Sequence, residues 1–281
     1  MAQSGAGRMD RGRSRRRRDH PHAYRHRRRH AIRPQTVGLA GANRLENKFL
    51  TETRVIKLTA ITKTYVAGKS TVEALKGLDF EISAGELMVI RGPSGSGKST
   101  MLNIVGLLDA PTGGVVELDG KRVTYEDFDS LATIRSRTIS FVFQSFNLNP
   151  VLTAEENVMV PLMVRDDIEK SEKWRRAAEW IEKVGLATHR NHRPDELSGG
   201  QRQRVAIARA MVSQPKLVIG DEPTANLDSK TARNLLGLMK DLNRERGTAF
   251  LFATHDPIFD DFSTRTALLQ DGKLTEATDR R

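Results

Sequence analysis

Nine consecutive residues, GPSGSGKST from Gly92 to Thr100, fit the spacing G-x-x-x-x-G-K-[ST] that cradles polyphosphates. Gly92, Gly95 and Gly97, with Pro93, Ser94 and Ser96 between them, let the backbone turn so that successive N–H groups point inward at an anion. Lys98 is placed to reach the terminal phosphates and Ser99 to offer its hydroxyl to Mg2+, with Thr100 completing the run. Such a loop needs a metal anchor and a means of activating water. The stretch KLVIGDEP supplies candidates for both: Asp221 to hold Mg2+, directly or through a water, and Glu222 to orient and polarise the attacking water. Gln144 ends the apolar run ISFVF and His255 ends AFLFAT; each is either a polar end-cap or a further member of the same site. A second small-residue turn lies in DELSGGQRQR, where Ser198, Gly199 and Gly200 open into a basic helical pattern, again the anatomy of a phosphate site. One chain with two phosphate-binding turns raises the question of why it needs both.

The elements that would carry these residues follow from periodicity. Val55–Leu58, Leu78–Ile82, Glu86–Ile90 and Ile139–Phe143 read as strands, and Lys98–Leu108 as a helix. Pro111, Gly113 and Gly114 mark a turn, and Asp119-Gly120 is hairpin-turn chemistry. From about 147 to 195 the signal is helical, with Trp174, Ala177, Ala178, Ile181 and Val184 at three- and four-residue spacing. A helix over Ser198–Ser213, the strand Lys216–Gly220, the helix Ser229–Glu245, the strand Thr248–Ala253 and a hairpin at Asp271-Gly272 complete the pattern. The order predicts an α/β core over 51–281, interrupted by a helical insert at about 147–200. In open α/β sheets ligands bind at the C-terminal ends of the strands, where Gln144, Asp221 and His255 all fall.

Charge divides the chain differently. The net charge is +11 from 46 Lys+Arg and 35 Asp+Glu. Residues 1–50 hold 14 Lys+Arg and three acids, which leaves 32 of each sign for 51–281. The basicity therefore belongs to the first 50 residues, read as a disordered extension or as translation from an upstream start codon. A nucleic-acid arm or attraction to anionic lipid stays open for that stretch. No apolar core follows its arginines, so it does not read as a secretory signal, although an Arg-rich transit peptide is compatible with the composition. The chain has no cysteine, which excludes disulfides and thiolate metal sites. Its longest apolar runs, such as Leu87–Ile90 and Ala249–Ala253, fall far short of the roughly 20 residues of a membrane span, so the chain is expected to be soluble.

In order and spacing these residues resemble the nucleotide-binding domain of ATP-binding cassette (ABC) proteins over roughly 54–280: Tyr65, Gly92–Thr100, Gln144, Leu197–Gln201, Leu217–Glu222, Asn226–Asp228 and His255. The stretches VGLLDAPTGG, FQSFNLNPVLTAEENV and DELSGGQRQRVAIARA are similar to the macrolide-export and lipoprotein-release ATPase subgroup. The resemblance implies a P-loop NTPase core of mixed sheet flanked by helices, with an antiparallel β subdomain and an α-helical signature subdomain. It implies that Tyr65 stacks on adenine, Gln144 contacts Mg2+ or water, and His255 hydrogen-bonds the γ-phosphate. It also implies that Leu197, Ser198, Gly199, Gly200 and Gln201, with Asp228, serve the ATP bound by a second copy. The two phosphate turns would then be two half-sites completed in a head-to-tail homodimer. A separate integral membrane permease would be driven through segments seating near Gln144, on the cytoplasmic face of the membrane. Two departures stand out: Gly220 where a larger residue is common, expected to loosen that strand end, and a first 50 residues without counterpart.

Two other readings differ in class. A cassette acting on nucleic acid or the ribosome is disfavoured, because the chain lacks long coiled coils, cysteines for zinc modules and a second cassette. A cassette acting as a mechanical switch on a cell-envelope complex shares every motif with the transporter reading.

Overall fold

A computed structural model describes residues 54–68 and 70–279; the basic stretch 1–50 lies outside the described residues. Two sheets carry the site. The first is antiparallel, ordered β2 (Ser70–Ser83), β1 (Arg54–Ala67), β4 (Gly113–Leu118), β5 (Lys121–Arg122). The second has six strands in the order β10 (Lys273–Asp279), β9 (Arg265–Gln270), β3 (Leu87–Arg91), β8 (Ala249–Ala253), β7 (Leu217–Asp221), β6 (Ile139–Phe143). Strands β9, β3, β8, β7 and β6 pair in parallel, and β10 alone is antiparallel. This mixed sheet flanked by helices is the architecture the motifs imply.

The central strands are continuous apolar runs because both faces of their sheet are covered. Alternate residues divide between two cores. Leu87, Val89, Val218, Phe250 and Phe252 face one core, shared with helices α3 (Ala154–Met163), α4 (Lys170–Lys183), α5 (Gly199–Met211) and α6 (Ser229–Arg246). Met88, Ile90, Leu217, Ile219 and Leu251 face the other, shared with α1 (Lys98–Val105), α2 (Phe128–Thr138) and the antiparallel sheet. The helices over 154–183 fall within the stretch read as a helical insert. Among the described residues no helix is long and apolar enough to cross a membrane.

Several boundaries differ from the sequence reading, each for a local reason. β1 and β2 are 14 residues each, much longer than predicted. Their outer ends leave the core, so the apolar alternation stops while the strand pairing continues to Ala67↔Ser70. Helix α1 ends at Val105 rather than Leu108, because Gly106 closes it and Leu107 takes a left-handed φ of 55°. Helix α2 was not expected: Leu131 is its deeply buried side chain, and it starts on a cap in which Asp127 accepts from Asp129 N–H and Ser130 N–H.

The Gly220 expectation is corrected. Rather than loosening β7, Gly220 leaves room for the fully buried Phe252 ring of neighbouring β8: a Cβ there would lie 2.7 Å from Phe252 Cδ1 and 3.3 Å from Pro223 Cγ.

Candidate nucleotide site

Parallel pairing decides the geometry. In register, Phe143 stands opposite Asp221, Asp221 opposite Ala253, and Ala253 opposite Ile90. The residues after these four strand ends, Gln144, Glu222, Thr254–His255 and the Gly92 loop, are therefore brought to one sheet edge. A cleft of about 640 Å3 opens there, lined by Tyr65, Ser94–Gly95, Gly97–Thr100, Asp221 and Glu222, together with residues of β2 and the β9–β10 turn.

The loop from Gly92 to Gly97 needs its glycines for space as well as for dihedral freedom. Gly92 (φ 154°) would place a Cβ 2.1 Å from Leu269 O, and Gly97 (φ 104°) would place one 2.6 Å from Ala74 O. Ser96 O accepts from Gly272 N–H, which fastens the loop to the β9–β10 turn. Helix α1 begins at Gly97 without any side-chain cap, so its first N–H groups point into the cleft as donors for an anion. Lys98 Nζ folds back to donate to Gly92 O and Pro93 O, 2.8 Å each, which holds the ammonium over the same loop.

The acidic strand end meets that helix directly. Ser99 Oγ donates to Asp221 Oδ2 at 2.9 Å. A hydroxyl and a carboxylate in contact are the hard oxygen donors Mg2+ takes alongside phosphate oxygens. Among the described residues no cluster of three His, Cys, Asp or Glu could hold a metal ion. Glu222, at a left-handed φ of 46°, turns its carboxylate towards the end of β8. Its Oε1 accepts from His255 Nδ1 at 2.6 Å and from His255 N–H at 3.2 Å, and its Oε2 accepts from Thr254 Oγ1 at 2.7 Å. A carboxylate only accepts, so Nδ1 of His255 carries the proton. The two residues singled out at separate strand ends are thus partners.

Tyr65 lies on the rim of the cleft with its hydroxyl donating to Asp109 Oδ2 at 2.8 Å. Lys63 donates to Asp109 Oδ1 at 2.6 Å and sits 4.9 Å from the Tyr65 ring centroid. Burial would raise the Asp109 carboxyl, but hydrogen bonds from Lys63 and Tyr65 outweigh it and hold it below its usual value. Lys63 and Asp109 fix the tyrosine, and neither was read from sequence, since a paired strand-edge lysine and loop aspartate carry no motif.

Gln144 is exposed, and its backbone carbonyl accepts from Asn226 Nδ2 at 3.0 Å. Leu197–Gln201 take no part in lining the cleft. Ser198 instead caps α5: its Oγ accepts from Gln201 N–H, and Gln201 Oε1 accepts from Ser198 N–H. Gly200 is tight against Thr231, where a Cβ would come within 2.5 Å of Cγ2. Asp228 caps α6, accepting from Lys230 N–H, Thr231 N–H and Thr231 Oγ1; the last of these leads in holding its carboxyl below the usual value.

Helix α5 is also tied to the loops after β7 and β6. The fully buried Gln203 donates to Pro223 O at 2.7 Å, and Arg209 donates to Phe146 O at 2.8 Å and to Asn147 O. Burial lowers Arg209 from its ordinary value. Sequence reading missed both residues; an arginine inside the apolar run VAIARAM was the available signal.

The comparisons agree with this geometry. The family profile described as ABC transporter matches residues 75–225. The chain is 44% identical to the lipoprotein-releasing system ATP-binding protein LolD of Anaeromyxobacter dehalogenans over 222 residues, 79% of this chain and 93% of that protein. It is 42% identical to the macrolide export ATP-binding/permease protein MacB of Syntrophobacter fumaroxidans over 221 residues, 78% of this chain and 31% of that longer protein. Among solved structures it is similar to the dimeric post-hydrolysis state of the cassette MJ0796 of Methanocaldococcus jannaschii bound to ADP and Pi. That match has a TM-score of 0.74 at 45% identity, covering 80% of this chain and 99% of that one. A phosphate loop facing an acidic strand end, in a fold and sequence shared with these proteins, is sufficient: the chain belongs to the ABC transporter family and is an ATP-binding, ATP-hydrolysing cassette subunit.

Proposed function

We propose that two copies of this chain close head-to-tail around two ATP molecules and that hydrolysis reopens them, driving a separate membrane subunit of an export or lipoprotein-release system. One observation carries the reading. Ser99, Asp221 and Glu222 line one cleft, with His255 bonded to Glu222 beside it, while Ser198–Gly200, the second phosphate turn, line no part of it. A second molecule presenting that turn would complete the site, so ATP would bind the closed pair better than the open one. Dimeric structures of the similar cassette MJ0796 support it.

In this reading Tyr65 stacks on adenine, and the Gly92–Thr100 backbone with Lys98 holds the phosphates. Ser99 and Asp221, with Gln144, would hold Mg2+, which when bound neutralises charge on the phosphate oxygens. Lys98 exchanges its two carbonyl acceptors for phosphate oxygens. Glu222 accepts a proton from the attacking water as general base, and His255 leaves Glu222 to hydrogen-bond the γ-phosphate. Asp228 faces the partner copy while capping α6.

Val160, Met163 and Val164, at three- and four-residue spacing, and Val151 before α3 are exposed apolar side chains following the Gln144 loop. They are the docking surface we assign to the membrane subunit, which would station the cassette on the cytoplasmic face. The stretch 1–50 is assigned no part in the cassette, whose domain spans 51–281 with its helical insert at about 147–200.

Glu222→Gln tests the mechanism: hydrolysis is lost, and saturating ATP shifts the chain from monomer to dimer by light scattering. A variant that stays monomeric at saturating ATP, with and without its membrane partner, overturns the sandwich.

A further inference from the structure

Glu222 has two side-chain partners of different character. His255 is 83% exposed at its side chain, and Glu222 Oε1 is the one side-chain contact of its ring among the described residues. Thr254 is 0% exposed, and its hydroxyl is fixed on both sides. Asp256 N–H donates to Thr254 Oγ1 at 3.1 Å, so the single hydroxyl proton is left for Glu222 Oε2 at 2.7 Å. The backbone around it is held as well. Thr254 N–H donates to Ile90 O, and Arg91, beside the phosphate loop, donates to His255 O at 3.0 Å and Asp256 O at 3.1 Å. Asp256 in turn accepts from Ile258 N–H at 3.0 Å and from Thr224 Oγ1 at 3.4 Å.

We propose that Thr254 is the positioning residue for the Glu222 carboxylate: its buried hydroxyl holds Oε2 in place once His255 turns away to the nucleotide. The inference rests on the reading of Glu222 as the base and His255 as a γ-phosphate ligand. A carboxylate held by His255 alone would be released when the histidine moves. With Oε2 anchored by Thr254, and the His255 N–H still 3.2 Å from Oε1, departure of the imidazole opens Oε1 to a water while the plane of the carboxylate does not change. The contact is a charge-assisted hydrogen bond between two poorly exposed groups, the strong kind. Thr254 acts through Glu222 and touches no substrate.

The test compares Thr254→Val, Thr254→Ser and Glu222→Gln in the full chain, by steady-state ATP hydrolysis and nucleotide binding. Valine keeps the shape and removes the donor, and a hydrogen bond to a charged group corresponds to roughly 10- to 100-fold in rate. The expected result is that fall in kcat with KM for ATP unchanged, and serine restoring kcat to within about 3-fold. Thr254→Val added to Glu222→Gln should lower the residual rate no further, since the hydroxyl acts only through that carboxylate. Thr254→Ala removes the same donor without apolar bulk and takes the place of valine should that variant not fold. A valine variant with wild-type kcat, one altered only in KM, or a serine variant as slow as valine overturns the proposal while leaving Glu222 as the base. Wild-type hydrolysis by Glu222→Gln overturns the reading beneath it.

Discussion

Substituting Gly220 by alanine adds one methyl group next to the acidic strand end, and its cost can be worked from the packing. The new Cβ would lie 2.7 Å from Phe252 Cδ1, 3.1 Å from Cε1 and 3.3 Å from Pro223 Cγ. Carbon atoms pack at about 3.5–4.0 Å, so the ring would have to retreat by close to 1 Å. It has nowhere to go. Phe252 is fully buried, stacked on Phe250 at 5.7 Å between centroids and held edge-on by Phe259 at 5.1 Å. Overpacking of this kind costs about 1–3 kcal/mol, or roughly 2–4 °C in Tm per kcal/mol for a domain of this size. Phe252→Leu alone should cost about 1–2 kcal/mol through lost ring contacts, but it clears the space over Gly220. The double variant should therefore be more stable than the sum of the singles by about 1 kcal/mol, read as denaturant midpoints of all four chains at constant m-value. Additive effects, or an alanine variant as stable as the wild type, would show that the Phe252 ring does not occupy the place of the missing side chain.

Two further predictions concern buried polar groups. Glu155, 8% exposed at its side chain, accepts two hydrogen bonds from Arg190, at 2.6 and 2.9 Å. Arg190→Met should destabilise the chain by about 2–3 kcal/mol in urea unfolding by stranding that carboxylate, and adding Glu155→Gln should recover part of the loss. The Tyr125 hydroxyl is buried with no hydrogen-bond partner among the described residues, and burial pushes its pKa up to about 12. Tyr125→Phe should be at least as stable as the wild type at neutral pH. Because the raised folded pKa favours the neutral phenol, Tyr125's contribution is intact below pH 10 and lost as pH rises towards 12. The wild type should therefore lose more stability over that interval than the phenylalanine variant, and equal alkaline losses would refute the assignment.

The motifs were legible because each is a short run whose chemistry depends on local backbone. Gly92–Thr100 and Asp221-Glu222 could be placed on a strand–loop–helix and at a strand end from the apolar residues beside them, and the parallel sheet brings them together. Elements without a two-sided core were harder. The outer halves of β1 and β2 are exposed and lose their alternation, and α2 rests on Leu131. Gly220 was misread because its meaning lies in a residue 32 positions on, in the neighbouring strand; register, not sequence distance, makes Phe252 its complement.

The contacts among the motifs were not legible, and they change how the site works. Gln144 and His255 were identified as ends of runs, Glu222 beside Asp221 at a strand end, and Ser198 in a small-residue turn. The fold couples them through Asn226 of the Asn226–Asp228 motif, bonded to the Gln144 carbonyl, and through residues with no assigned role: Gln203 and Arg209 from the signature helix to the loops after β7 and β6, and Thr254 to Glu222. The signature turn and the acidic loop are thereby joined by a fully buried amide rather than by a flexible linker. In the proposed closed pair, a partner seated on Ser198 would meet a helix already bonded to Pro223, the residue after Glu222, through one buried hydrogen bond.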